Sequence, residues 1–206
     1  FLVPPWVRWT LSEWKQNSGR ITEIIDNMLG WDITDFGSGD FLKEGLVMLT
    51  LRNGNFELKD KYKKTYAEKL LITEEGQITP RHFHWSKMED IINRGGGNLI
   101  VELWNRTEEE ALDNSDVTVR IDGIPKTVKA GEAVRITPGE SITLENGIYH
   151  RFYGEPEKGR ILLGEISSVN DDMVDNRFHK TLPRFPEIIE DEKVKYPLIT
   201  EYRTLL

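Results

Sequence analysis

The chain carries two textures of hydrophobic patterning. Over residues 10–29, TLSEWKQNSGRITEIIDNML, apolar positions recur at helical spacing. Ile21, Ile24, Ile25 and Met28 share a face, so two short amphipathic helices are expected. Thr10 or Ser12 suits the first N-cap and Ser18 the second. Gly30 ends this pattern, and DFGSGD (35–40) reads as a loop. From about Leu42 the texture changes to short apolar or alternating runs. GLVMLTLRNG closes on the turn signal Asn53-Gly54, and KLLIT, NLIVELW, VTVRI, AVRIT, SITL, IYHRFYG and RILLGEISSV follow. Closely spaced short strands indicate an all-β sandwich or barrel rather than βαβ units. The tail from Asp171 contains Pro183, Pro186 and Pro197. Phe178, Phe185, Ile188, Ile189 and Leu198 are expected to anchor it across the barrel. The resulting expectation is one domain over 1–206: a helical extension (1–40), a β-barrel (41–170) and a wrapping segment (171–206).

Composition narrows the possible chemistry. The 206 residues are 38% hydrophobic and 10% aromatic, enough for a core and inconsistent with disorder. The absence of cysteine excludes disulfides, thiolate metal sites, Fe–S clusters and cysteine nucleophiles. A net charge of −8 argues against nucleic-acid or anionic-membrane partners, which need a basic face. No run approaches the ~18 apolar residues of a membrane span. No signal-peptide pattern is present, and the start at Phe1 rather than Met implies preceding residues; a soluble, cytoplasmic protein is the default expectation. The acidic stretches 108–116 and 187–192 and the basic 59–64 read as solvated faces. The three tryptophans of PPWVRWTLSEW would cover either the barrel or a partner, and RGGG (94–97) reads as a tight hairpin.

Only four histidines are present, so their placement matters. His82 and His84 lie two apart and would share one face of an extended segment. Glu89 follows five residues later, and His150 sits in another strand-like run. Three imidazoles and one carboxylate could form an N3O site for a divalent transition metal. The wider spacing resembles the two cupin motifs. Gly76, His82, His84, Glu89 and Gly96 match the first at every element. Gly139, Gly147 and His150 match the second, with Glu145 where that motif has Pro and Gly154 where it has Asn. The resemblance implies a double-stranded β-helix (a jelly-roll barrel). From about Lys69 onward, HFHWSKMEDIINRGGGNLIVELW, EISSVNDD and DNRFHKTLPRFPEIIEDE are similar to the D-lyxose isomerase family of metal-dependent cupins. That resemblance implies His82, His84, Glu89 and His150 as metal ligands, with manganese the usual metal and Fe²⁺, Co²⁺ or Zn²⁺ as alternatives. It also implies a sugar substrate, D-lyxose with D-xylulose and often D-mannose with D-fructose, interconverted through a cis-enediol.

Such a reaction needs a base near the carbons and a proton carrier near the oxygens. Lys69 stands just before the His-x-His strand, where the resemblance favours a catalytic lysine. Glu165 shares an alternation face with Ile161, Leu163 and Ser167, where an unpaired carboxylate is costly. Glu102 in LIVELW has the same inward look. In NDDMVDNR (170–177), Asp172 and Arg177 are expected to contact sugar hydroxyls. Tyr149 and Trp85 alternate away from the interior, and His179 reads as a surface residue. Two other functions fit the same motif: an iron-dependent cupin dioxygenase, and a non-catalytic sugar-binding module. Exposed sheet edges in such a barrel favour a homodimer.

Overall fold

A computed structural model describes residues 2–206. The N-terminal stretch forms a 3-10 turn, Pro5–Arg8, then helices α1 (Leu11–Gln16) and α2 (Thr22–Asp26). Thr10 caps α1 in a reciprocal capping box: the Glu13 N–H donates to Thr10 Oγ1, and the Thr10 N–H donates to Glu13 Oε2. Ser18 does not cap α2. It opens a second 3-10 turn, Ser18–Arg20, and Ile21 stands at the N-cap without a side-chain bond.

The strands then follow in order. They are β1 (Gly30–Thr34), β2 (Leu46–Arg52), β3 (Tyr66–Thr73), β4 (Ile78–Phe83) and β5 (Glu89–Gly96). Next come β6 (Leu99–Arg106), β7 (Leu112–Asp113), β8 (Val117–Ile121), β9 (Ile124–Val128) and β10 (Ala133–Ile136). The last are β11 (Ser141–Leu144), β12 (Tyr149–Gly154), β13 (Ile161–Ser168) and β14 (Arg177–Phe178), before a final helix α3 (Tyr202–Leu205). All strand pairings are antiparallel within two sheets. One runs β1-β2-β3-β13-β5-β11-β8-β9; the other runs β10-β6-β12-β4-β14, with β7 attached to β6. Each sheet draws its strands from distant parts of the chain, the winding of a cupin jelly roll. The main core takes alternate residues from both sheets, including Leu71, Ile91, Leu103, Phe152 and Leu163.

β1 and β9 are among the strands that escape the hydrophobic pattern. The segment 30–34, expected within the helical extension, is β1, paired with β2 from Gly30↔Thr50 to Thr34↔Leu46. Its buried face is Gly30, Asp32 and Thr34, while Trp31 and Ile33 alternate to the other side. A polar inner face reverses the usual signal. β9 is exposed at four of its five positions and carries no apolar alternation. The tail also differs from expectation: Ile188 and Ile189 are 47% and 92% exposed and anchor nothing. Phe178, Ile199 and Tyr202 are buried hydrophobic residues that hold it down, and Phe185 packs partly buried against the same cluster as Ile199 and Tyr202. Tyr202 lies 5.1 Å from Trp14, which also packs edge-on against Trp6 and Trp9, so the tryptophans cover the chain's own C-terminal helix. Among the described residues no helix is long and apolar enough to cross a membrane.

RGGG is the β5–β6 hairpin. Gly96 holds φ +94°, and a Cβ there would collide with the Arg160 carbonyl oxygen. Gly96→Ala is therefore expected to destabilise the fold by ~2 kcal/mol or more. Urea unfolding midpoints of the two proteins check this.

Candidate active site

The pleat of β4 sends His82 inward and Phe83 outward, and His84, just past the strand, returns to the inner face. His150 on β12 is the direct register partner of His82. Glu89 begins β5 on the opposing sheet. All four side chains are at least nine-tenths buried. The His82, His84 and His150 nitrogens lie within 4.8 Å of one another.

Each imidazole is oriented from behind. Its Nδ1 faces a backbone carbonyl: Pro80 for His82 (2.7 Å), Asp175 for His84 (2.8 Å) and Ile148 for His150 (3.0 Å). A carbonyl only accepts, so Nδ1 carries the proton and Nε2 is a bare lone pair. The Nε2 atoms of His82 and His150 are 3.1 Å apart, and neither can donate to the other. His84 Nε2 has no hydrogen-bond partner. Glu89 Oε1 completes the set, 3.5 Å from His84 Nε2 and 3.3 Å from His150 Nε2. Converging lone pairs in a dry interior repel unless a cation lies among them. Separations near 3.0–3.5 Å are what donors about 2.1 Å from one ion would show. The donor set thus fits a divalent transition metal. Burial and the flanking imidazoles keep His82 neutral well below its usual range, and burial pushes His150 down to about 4. Burial opposes charge on Glu89, but Lys87 and His84 hold its carboxyl well below the ordinary value.

Beside this cluster runs a chain of buried charges. Glu165 on β13 stands directly across from Lys69 on β3. Lys69 Nζ lies 3.3 Å from Glu165 Oε1 and 3.1 Å from Asp172 Oδ2. Lys87 Nζ joins Glu165 Oε1 (3.1 Å) to Glu89 Oε2 (2.5 Å). At the other end Arg184 reaches Asp172 (3.7 Å) and Asp32 (2.5 Å). Burial works against ionised Asp172, yet Lys69 and Arg184 hold it well below the carboxylate range. Burial likewise disfavours the Lys87 ammonium, and Glu165 and Glu89 raise it above the normal value instead. Taking this many charges out of water costs several kcal/mol each before pairing, so the chain is poor design for stability alone. His82, His84, Glu89, Lys69, Lys87, Glu165, Asp172 and Arg184 line one cavity together with Phe36 and Phe178, with a volume of about 40 Å³.

Two expected residues lie elsewhere. Glu102 on β6 turns to the outer face, where Arg151 Nη2 donates to its Oε1 at 2.8 Å. Arg177 on β14 also turns outward and donates through Nε to Glu110 Oε2 at 2.9 Å. Neither borders the cavity. Glu102→Gln and Arg177→Gln are expected to leave kcat/KM within about three-fold, because partly exposed ion pairs contribute little. Tyr149 and Trp85 do face away: Tyr149 packs with Phe83 and Trp104, and Trp85 is 41% exposed. His179 is exposed. Three residues of the site gave no sequence signal: Lys87, Arg184 and Asp175. Asp175 accepts from the Ser86 and Lys87 N–H groups, both at 2.9 Å, while its carbonyl orients His84.

The family model for D-lyxose isomerase matches residues 1–202. The chain belongs to the D-lyxose isomerase family. Its relatives in that family include the D-lyxose/D-mannose isomerase of Escherichia coli O157:H7, 48% identical over 98% of this chain and 88% of that protein. The D-lyxose/D-mannose isomerase of Serratia proteamaculans is 49% identical over 97% of this chain and 88% of that one. Among solved structures, Cellulomonas parahominis L-ribose isomerase with L-psicose shares the fold of this D-lyxose isomerase family member. Its TM-score is 0.51 at 16% identity, over 82% of this chain and 90% of that chain.

Proposed function

We propose that the protein is a metal-dependent aldose–ketose isomerase that interconverts D-lyxose and D-xylulose, and D-mannose and D-fructose, through a cis-enediol. Family membership makes it a sugar isomerase. The observation that carries the finer reading is one cavity lined by His82, His84 and Glu89 of a bare N3O donor set, which His150 completes from behind, and by a buried Lys69–Glu165–Asp172 chain. His82, His84, Glu89 and His150 would hold the metal, Mn²⁺ by preference, with Fe²⁺, Co²⁺ or Zn²⁺ as substitutes. When bound it supplies a Lewis acid that polarises the carbonyl and offsets developing negative charge.

The chain's own residues carry the protons. Glu165 removes the proton from one of the two reacting carbons and returns it to the other. Lys69 Nζ, 3.1 Å from Asp172, passes a proton between the two oxygens, with Asp172 holding it in place. Lys87 ties Glu165 to Glu89, so base and donor set keep a constant spacing. The cavity volume of about 40 Å³ is far below the ~300 Å³ of an ordinary ligand pocket. Sugar entry therefore requires the segment bearing Asp172, Phe178 and Arg184 to move aside. We place the enzyme in the cytoplasm, as a homodimer of single-domain chains.

A panel of aldoses tests the function. D-lyxose is expected to yield D-xylulose, and D-mannose D-fructose. Binding of D-lyxose without ketose at any metal loading would overturn the proposal in favour of a binding module. Iron-dependent oxygen uptake without ketose would overturn it in favour of a dioxygenase.

A further inference from the structure

The buried face of β1 is Gly30, Asp32 and Thr34, and two of these residues grip one residue of the tail. Arg184 Nη2 donates to Asp32 Oδ2 at 2.5 Å, and Thr34 Oγ1 donates to the Arg184 carbonyl at 3.1 Å. Thr34 Oγ1 also accepts from the N–H of Phe36, which borders the catalytic cavity. Asp32 itself does not border that cavity. Its side chain is 3% exposed, and among the described residues its one ion-pair partner is Arg184. Charge balance does not call for this carboxylate. Lys69, Lys87 and Arg184 already face Glu89, Glu165 and Asp172, three cations for three carboxylates. Asp32 is a fourth, and burial raises its carboxyl above the usual value against the pull of Arg184. Burying a charge that pairing does not require works against stability, which points to a role in what Asp32 does to its neighbours.

Two atoms of this chain are contested. Arg184 Nη2 has two carboxylates in reach, Asp32 Oδ2 at 2.5 Å and Asp172 Oδ2 at 3.7 Å. Asp172 Oδ2 in turn has two cations in reach, Lys69 Nζ at 3.1 Å and Arg184 Nη2 at 3.7 Å. A hydrogen bond between charged groups needs a separation of about 2.7–3.2 Å. Arg184 is therefore bonded to Asp32 and only close to Asp172, and the contested oxygen of Asp172 stays with Lys69. Without the charge on Asp32, Asp172 becomes the carboxylate nearest to the guanidinium. A guanidinium holds a carboxylate through two parallel N–H donors, which an ammonium cannot match, so Arg184 would draw Asp172 off Lys69.

We propose that Asp32 is a positioning residue of the isomerase: it holds Arg184 from outside the cavity and so keeps Asp172 on Lys69. The proposal rests on Lys69 as the proton carrier, and the experiment separates the two. Asp32→Asn removes the charge and keeps the shape. The crystal structure of that variant is expected to show Arg184 bonded to Asp172 at about 2.8 Å, with Lys69 left to Glu165. Ion pairing unchanged from the wild type would overturn the proposal. This readout needs no turnover, so a wild type that forms no ketose would overturn the isomerase reading while the variant structure still decides the role of Asp32. In the assay, Asp32→Asn is expected to lower kcat about ten-fold with KM within about three-fold. A residue that merely fastens the tail would lower the melting temperature and leave kcat where it was, and an unchanged kcat in the folded variant overturns the proposal. In a Lys69→Met background the same substitution is expected to change kcat no further, because the contact that Asp32 protects is already gone. A further ten-fold loss there would show that Asp32 acts by another route and would overturn the proposal as well. Should Asp32→Asn not fold, Asp32→Ser, smaller and equally neutral, replaces it in each measurement.

Discussion

His150→Ala is expected to lose both the bound metal and measurable isomerisation while the chain remains folded. The side chain supplies one of three bare Nε2 donors, and nothing nearby can replace it. Changing only an outer partner of a metal ligand typically costs 10–100-fold in affinity, so removing a ligand costs more. A Lewis acid contributes several kcal/mol to the transition state, and each 1.4 kcal/mol is a decade, so kcat/KM should fall at least about a thousand-fold. The fold should survive. The imidazole is buried and stacks 6.5 Å from Phe152, so truncation leaves a cavity costing roughly 2–4 kcal/mol. Against that loss, the variant is freed of the lone-pair contact with His82. Metal analysis and circular dichroism of the variant check the two halves, and stoichiometric metal in a folded His150→Ala protein would remove the residue from the donor set.

Lys69→Met separates proton transfer from metal binding. The substitution keeps most of the side-chain volume and removes the charge. Glu165 retains Lys87 at 3.1 Å and Asp172 retains Arg184 at 3.7 Å, so neither carboxylate is left without a cation. Replacing a buried ammonium by a well-packed apolar chain is often close to neutral for stability. Metal content and melting temperature should therefore stay near wild type. Loss of a general acid–base group lowers kcat by about 10²–10⁴-fold, with a much smaller change in KM because the rest of the site is untouched. Lys69→Arg is not expected to rescue, since a guanidinium does not give up its proton near neutral pH. A kcat within three-fold of wild type would show that Lys69 serves only to pair Glu165 and Asp172.

These two residues also show which parts of the site could be read from the amino-acid order. His82 and His84 were legible because period-two geometry puts residues two apart on one face, and His150 because it stands, after Gly139 and Gly147, at the histidine position of the second cupin motif. Glu165 stood out as a charge on an otherwise apolar alternation face, the mark of a group that burial must compensate, whereas Lys69 was marked only by its place just before the His-x-His strand, where the family resemblance favours a lysine. Glu102 failed the same reasoning. LIVELW is apolar on both faces, since Trp104 packs outward against Phe83 and Tyr149 while Val101 and Leu103 pack inward. With both faces covered, alternation cannot say which way a charge points. Arg177 lies on a two-residue strand too short to carry any phase. Lys87 sits in the turn between β4 and β5, within SKMED, where a lysine looks like any solvated residue. Arg184 and Asp32 pair across 152 positions of sequence, and only the fold brings them together. The barrel was legible from its strand texture, but β1 was hidden by the same ion pair, because Asp32 makes its inner face polar.

The most direct test is metal content measured together with turnover. Purified protein is stripped with chelator, reloaded with Mn²⁺ in steps, and assayed at each step for D-xylulose formed from D-lyxose. The expected result is no turnover in the stripped protein, activity rising in proportion to occupancy, and saturation at one ion per chain. Full turnover by protein containing no metal would contradict the assignment of His82, His84, Glu89 and His150 as the centre of the reaction.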